Sequence, residues 1–173
     1  MSHLIESANY SLLQLKGFLL QLNKQQYTMQ LPIFSGSTIG MHVRHVIEFY
    51  QCLVKGIIDG KMDYDARERS LLQESDIDYS ISCIDNLLID LSMIKENKNI
   101  ILLTEQNLHE NKLEIESNIY RELSYVIEHT VHHFAIIKMG CTSAFENIIF
   151  EKDFGVAYST IKYRESVYSN LSA

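Results

Sequence analysis

The chain has 173 residues, 46% of them hydrophobic and 21% charged, which is the composition of a folded domain of ordinary size rather than of a disordered segment. Its formal charge of -7 and pI near 5.4 leave no basic stripe to displace counterions, so neither a nucleic acid nor an anionic membrane is expected as the main partner. A small-molecule substrate is compatible with that charge.

Three cysteines, Cys52, Cys83 and Cys141, are odd in number and widely spaced, and read as buried thiols of a reducing compartment. The opening Met1-Ser-His-Leu-Ile-Glu lacks a basic region followed by an apolar one, and no apolar run reaches membrane-spanning length. The expected location is the cytoplasm.

Residues 3 to 25 place Leu4, Ala8, Leu12, Leu15, Leu19 and Leu22 on one face of a first helix. A connection from Tyr27 to Ser37 holds the only proline, Pro32, and Gly36. Ser37 or Thr38 can cap a second helix that runs to about Gly60, with Val46, Phe49, Tyr50, Leu53 and Ile57 as its apolar stripe. His45 falls at one edge of that stripe and His42 nearer its middle. Residues 61 to 74 form a charged connection without a sustained period.

A third helix is expected from Asp76 to about Asn97, capped by Ser75 and offering Ile77, Ile81, Ile84, Leu88, Leu91 and Met93 to the core. The period then changes. Asn99 to Thr104 and Lys112 to Ser117, separated by a polar stretch with Asn107 and Asn111, read as a short β-hairpin. A fourth helix, Ser117 to Gly140, carries the stripe Ile119, Leu123, Val126, Thr130, Phe134 and Ile137. Residues 141 to 159 are less regular, and Asp153 to Thr160 reads as a turn before a last short helix or tail. No repeat or linker divides residues 1 to 173, so one domain is expected, an all-α bundle of four long helices.

On the fourth helix His129 and His133 lie one turn apart and can converge on one point at the edge of the stripe, whereas His132 points to another side. A pair alone is also the ordinary pattern of histidines hydrogen-bonded at the edge of a buried face. His45 adds a third imidazole from a second core-facing helix, with His42 as a core residue or alternate ligand. Three neutral imidazoles leave coordination positions open, as catalytic rather than structural metal sites do, and they do not choose among zinc, nickel, iron and copper. Glu122, two turns before His129, can reach the cavity as a catalytic base, orient an imidazole, or simply pair with a Lys or Arg. In Asp63 to Arg69, Arg67 or Arg69 can hold a carboxylate, although an ordinary charged loop is the simpler reading.

With Ile39-Gly-Met-His-Val-Arg-His45 on the second helix and His129-Thr-Val-His-His133 on the fourth, the layout resembles the DinB/YfiT-like superfamily of metalloenzymes. The resemblance covers nearly the whole chain through helix order and spacing. It implies an up-down-down-up four-helix bundle with His45, His129 and His133 as ligands of one divalent metal ion. It also implies a transferase that uses a low-molecular-weight thiol, and a homodimer. Sulfoxide synthases of the superfamily carry an acidic residue two positions after the last histidine, where this chain has Ala135, so that activity is not expected. The alternatives are metal-assisted hydrolysis with Glu122 as base, and a non-catalytic, stress-related metal-binding bundle.

Overall fold

Four long helices, α1 (Ser2–Leu19), α3 (Ile39–Asp59), α5 (Ile77–Ser92) and α6 (Ile119–Ala144), wall the core in the computed structural model, which describes residues 2–105 and 111–171. α3 packs on α5 and α6, and α1 packs on the same two helices, so the apolar stripes of all four meet in one connected core. Three shorter α-helices, α2 (Lys24–Thr28), α4 (Leu71–Ser75) and α7 (Tyr158–Leu171), a 3-10 turn at Pro32–Phe34 and a three-stranded sheet complete the regular elements of the described residues. No helix among them is long and apolar enough to cross a membrane.

Local chemistry sets the ends of the elements. Thr38 caps α3 by accepting from the Met41 amide at 3.0 Å, and Gly60 closes it in the left-handed conformation at φ 72°, where other residues are strained. α1 stops at Leu19, short of the expected residue 25. The chain there is claimed by a new start, because Asn23 and Gln26 form a reciprocal capping box at the head of α2. Asp76, not Ser75, caps α5, accepting from the Tyr79 amide at 2.9 Å, while the Ser75 hydroxyl is spent on the Leu71 carbonyl. α5 then ends at Ser92, so Met93, expected in the core, is 69% exposed.

The sheet also departs from expectation. Its two expected arms, β2 (Asn99–Thr104) and β3 (Leu113–Asn118), pair antiparallel from Asn99 with Asn118 to Thr104 with Leu113. On the other edge of β2 a third strand, β1 (Lys61–Asp63), pairs in parallel, Lys61 with Ile101, inside what the charge pattern marks as a connection. Met62 is buried there against the end of α3, and the ion pairs Lys61–Glu114 and Lys112–Asp63 tie β1 and β3 across the sheet. Only one apolar residue of β1 turns inward, which is too little to register as a period. Asn107, in the polar stretch between the two arms, lies outside the described residues.

The same charged stretch yields α4, which lies on the first turn of α3. Gly40 makes that possible: a Cβ on it would fall 2.0 Å from the Glu74 carbonyl oxygen. Gly40→Ala is expected to lower stability by about 1–3 kcal/mol, because a backbone carbonyl rather than a flexible side chain must yield. Urea unfolding of the variant checks this, and a midpoint equal to wild type would show that α4 moves freely.

Beyond α6, the ring of Phe154 stacks on Phe134 at 4.3 Å, which draws residues 153 to 157 onto the outside of α6. The segment's apolar residues are thus used in packing.

Candidate metal centre

Four of the five histidines of α3 and α6 sit one position before a buried residue: His42, expected nearer the middle of its stripe, before Val43, His45 before Val46, His129 before Thr130 and His133 before Phe134. At about 100° per residue this puts all four at a stripe's edge. Where α3 and α6 pack together, those edges face each other. His45 and His129 meet Nε2 to Nε2 at 2.8 Å, and His42 and His133 meet Nδ1 to Nδ1 at 3.1 Å. The His133 ring centre lies 4.5 Å from that of His45 and 4.8 Å from that of His129.

One nitrogen each from His45, His129 and His133 falls within 4.8 Å of the others, the one group of three or more histidine, cysteine or carboxylate side chains among the described residues close enough to share a cation. The structure therefore brings the three expected ligands together. His132 is exposed and stands outside the group.

Burial is the main force on their protonation. It lowers the pKa of all four inward histidines, and for His45 and His133 it combines with the neighbouring imidazoles and the Arg67 guanidinium to bring the value down to about 3. At neutral pH the three rings are uncharged and each keeps a lone pair. That is the form in which imidazole binds a divalent cation, so the donor set fits one.

Aromatic rings hold the cluster in place. Phe49 stacks on His129 with centres 4.2 Å apart and planes 17° apart, and Tyr64 stacks on Phe49 at 4.7 Å. Tyr125 lies along His129 at 5.8 Å. The Arg67 guanidinium sits 5.0 Å over the Phe49 ring. Phe49 was legible as a core residue, but its contact with His129 was not, since it joins two helices about eighty positions apart in sequence.

Glu122 does not stand free beside the imidazoles. Its side chain is 0% exposed and accepts from the Tyr64 hydroxyl at 3.1 Å, from the Ser117 hydroxyl, and from the Arg121 guanidinium at 2.7 Å. The ring column Tyr64–Phe49–His129 links it to the cluster. Of the roles open to Glu122 in the sequence, pairing with an arginine is the one these contacts display.

Arg67 does meet a carboxylate, but an internal one. Its Nε lies 3.7 Å from Oε2 of Glu48, a residue 3% exposed, and the Arg44 Nε lies 3.8 Å from the same oxygen. Glu48 also accepts from the Ser70 amide at 2.8 Å, and Arg44 pairs with Glu74. This buried network fastens the Asp63 to Arg69 connection to α3. Nothing in the periodicity marks Glu48, because an acid on a buried face looks like noise until its two arginines are seen. Arg69 donates to the Arg67 carbonyl at 3.3 Å.

No protein-family model, curated protein or solved structure matches this chain. What the structure offers a metal ion is a donor set of three neutral nitrogens, no carboxylate among them, on two helices fastened by a shared core.

Proposed function

We propose that the protein is a DinB/YfiT-like up-down-down-up four-helix bundle that holds one divalent cation on His45, His129 and His133 and catalyses transfer of a low-molecular-weight thiol to an electrophile. The supporting observation is the convergence of three uncharged imidazoles from α3 and α6. Zinc, nickel and iron all accept such donors. With no anionic ligand, a bound cation keeps its full charge and stabilises a thiolate at neutral pH.

The chain's own residues then have defined parts. His45, His129 and His133 hold the cation, and the Phe49 and Tyr125 rings fix the plane of His129. Arg67, 15% exposed, adds a second positive charge close enough to be felt by all three histidines, which favours an anionic sulfur over its neutral form. In the reaction the sulfur–carbon bond forms as the bond from carbon to the leaving group breaks, the leaving group departs with its electron pair, and the thiol proton passes to solvent. Free Cys52 is unsuited to serve as the nucleophile itself, since burial pushes its thiol up to about 11. The hydrolytic alternative needs an unoccupied base, and Glu122 has both oxygens engaged. A reducing cytoplasm and a homodimer belong to the same reading.

Metal analysis of protein purified without added metal tests it. Wild type is expected to hold about one equivalent of a divalent ion, and His45→Ala, His129→Ala and His133→Ala to lose most of it while remaining helical by circular dichroism. Loaded wild type should consume a thiol together with an alkyl halide or epoxide, and the variants should not. A bundle that keeps its metal in all three variants, or turns over no thiol pair when loaded, would overturn the proposal; the second outcome leaves the non-catalytic bundle.

A further inference from the structure

The cation set just proposed leaves out His42, and the structure gives this ring an unusual setting. It packs edge-on against Phe34 with centres 4.7 Å apart, and its Nδ1 lies 3.1 Å from Nδ1 of His133. Its other nitrogen, Nε2, is buried without a hydrogen-bond partner. Phe34 is itself held in place from behind, because its ring fills the space over Gly140, where a Cβ would fall 2.1 Å from it. Among the described residues, a histidine placed in this way has one hydrogen-bond contact, the nitrogen of a metal-ligand candidate.

Because His42 stands outside the cation set, its 3.1 Å approach to His133 is a hydrogen bond that carries one proton, unlike that of His45 and His129, whose facing lone pairs would both go to the cation. If His42 supplies it, the proton of neutral His133 sits on Nε2 and that ring has no lone pair left for a cation. If His133 supplies it from Nδ1, its Nε2 lone pair is free, and the proton of His42 moves to the buried Nε2. Only the second arrangement is compatible with ligation by His133 through Nε2, the nitrogen that the His42 contact leaves over.

We infer that His42 is a positioning residue for the metal centre: it accepts the Nδ1 proton of His133 and so fixes the tautomer and ring plane in which His133 Nε2 binds the cation. This rests on the three-histidine reading above. Ligating histidines commonly donate their second nitrogen to a carboxylate or a carbonyl, and here another imidazole takes that place. Cation uptake is then coupled to a single arrangement of two protons on the His42–His133 pair.

The test is cobalt(II) titration followed by visible absorption on wild type, His42→Phe, His42→Asn and His129→Ala, with histidine ¹⁵N spectra of the zinc-loaded wild type. His42→Phe, which keeps the ring's bulk and removes its acceptor, should weaken cobalt binding about 10–100-fold, and His42→Asn, whose carboxamide oxygen can accept near the Nδ1 position, should stay within about threefold of wild type. The spectra should show His133 protonated on Nδ1 and zinc-bound through Nε2. Equal affinity in His42→Phe and wild type, equal losses in the Phe and Asn variants, or zinc on Nδ1 of His133 or on His42 itself would overturn the inference. If His42→Phe does not fold, the wild-type spectra decide. Cobalt binding that is lost in His129→Ala but intact in His42→Phe removes the role of His42 alone; no cobalt binding by wild type removes the metal reading with it.

Discussion

Glu122→Ala is expected to lower the unfolding free energy by about 3–5 kcal/mol, the range for taking one partner out of a buried charged network. The Glu122 carboxylate accepts from three groups that belong to different parts of the fold: Tyr64 just past β1, Ser117 in β3, and Arg121 beside it on the first turn of α6. Removal strands the buried Tyr64 hydroxyl without its acceptor and leaves a cavity at the junction of sheet and helix. It also takes a negative charge from the amino end of α6, where the helix dipole favours one. Glu122→Gln should lose less, because the carboxamide can still accept one hydrogen bond and can donate to the Tyr64 oxygen. Urea unfolding at pH 7 separates the two variants. A loss below about 1 kcal/mol in Glu122→Ala would mean that the network is dispensable. Any metal-dependent hydrolysis that persists in full per folded molecule in Glu122→Gln would, separately, exclude this residue as the base of that reaction.

The contrast between Glu122 and the histidines shows which features a sequence exposes. Ile119, Leu123, Val126, Thr130, Phe134 and Ile137 are all buried, as their spacing on one helix predicts, and the histidines beside them inherit their position from that stripe. Within one helix the angle between residues is fixed, so the pair His129 and His133 was legible. Pairing across helices was legible only in part. His45 and His42 are three positions apart on α3, and both reach α6, one meeting His129 and the other His133. Which of them joins the group of three depends on the depth and rotation at which α3 packs on α6, set by many side chains at once. β1 and α4 escaped notice for another reason. They are three and five residues long, too short for either period to accumulate, and they exist because Met62 and Gln73 are drawn into contacts made elsewhere. The links between Glu48 and its arginines and between Glu122 and Tyr64 belong to the same class: isolated charges whose partners are supplied by the fold.

Protein kept free of metal should lose stability on mild acidification, before its carboxylates titrate. The unfolded chain takes up a proton on each histidine near pH 6.5, whereas folded His45 and His133 resist protonation until about pH 3. Between those values the unfolded state binds more protons than the folded one, so stability falls as the pH falls; above about 6.5 both states are neutral at these sites and the term vanishes. His42 and His129 shift in the same direction and add to the slope. These rings are not fully enclosed, and after discounting for solvent screening the loss is on the order of 1–2 kcal/mol for each of His45 and His133. The urea midpoint in the presence of a chelator should therefore drop between pH 6.5 and 5, a window in which ordinary carboxylates stay ionised, and His133→Gln should flatten the drop by removing one of the two strongest contributors. A midpoint that is level across that window in the stripped wild type would mean that the imidazoles charge freely inside the fold. Cation affinity makes the complementary demand: because these rings remain deprotonated well below neutrality, zinc binding should change little from pH 8 to pH 6, where a site built from ordinary histidines already loses affinity to competing protons.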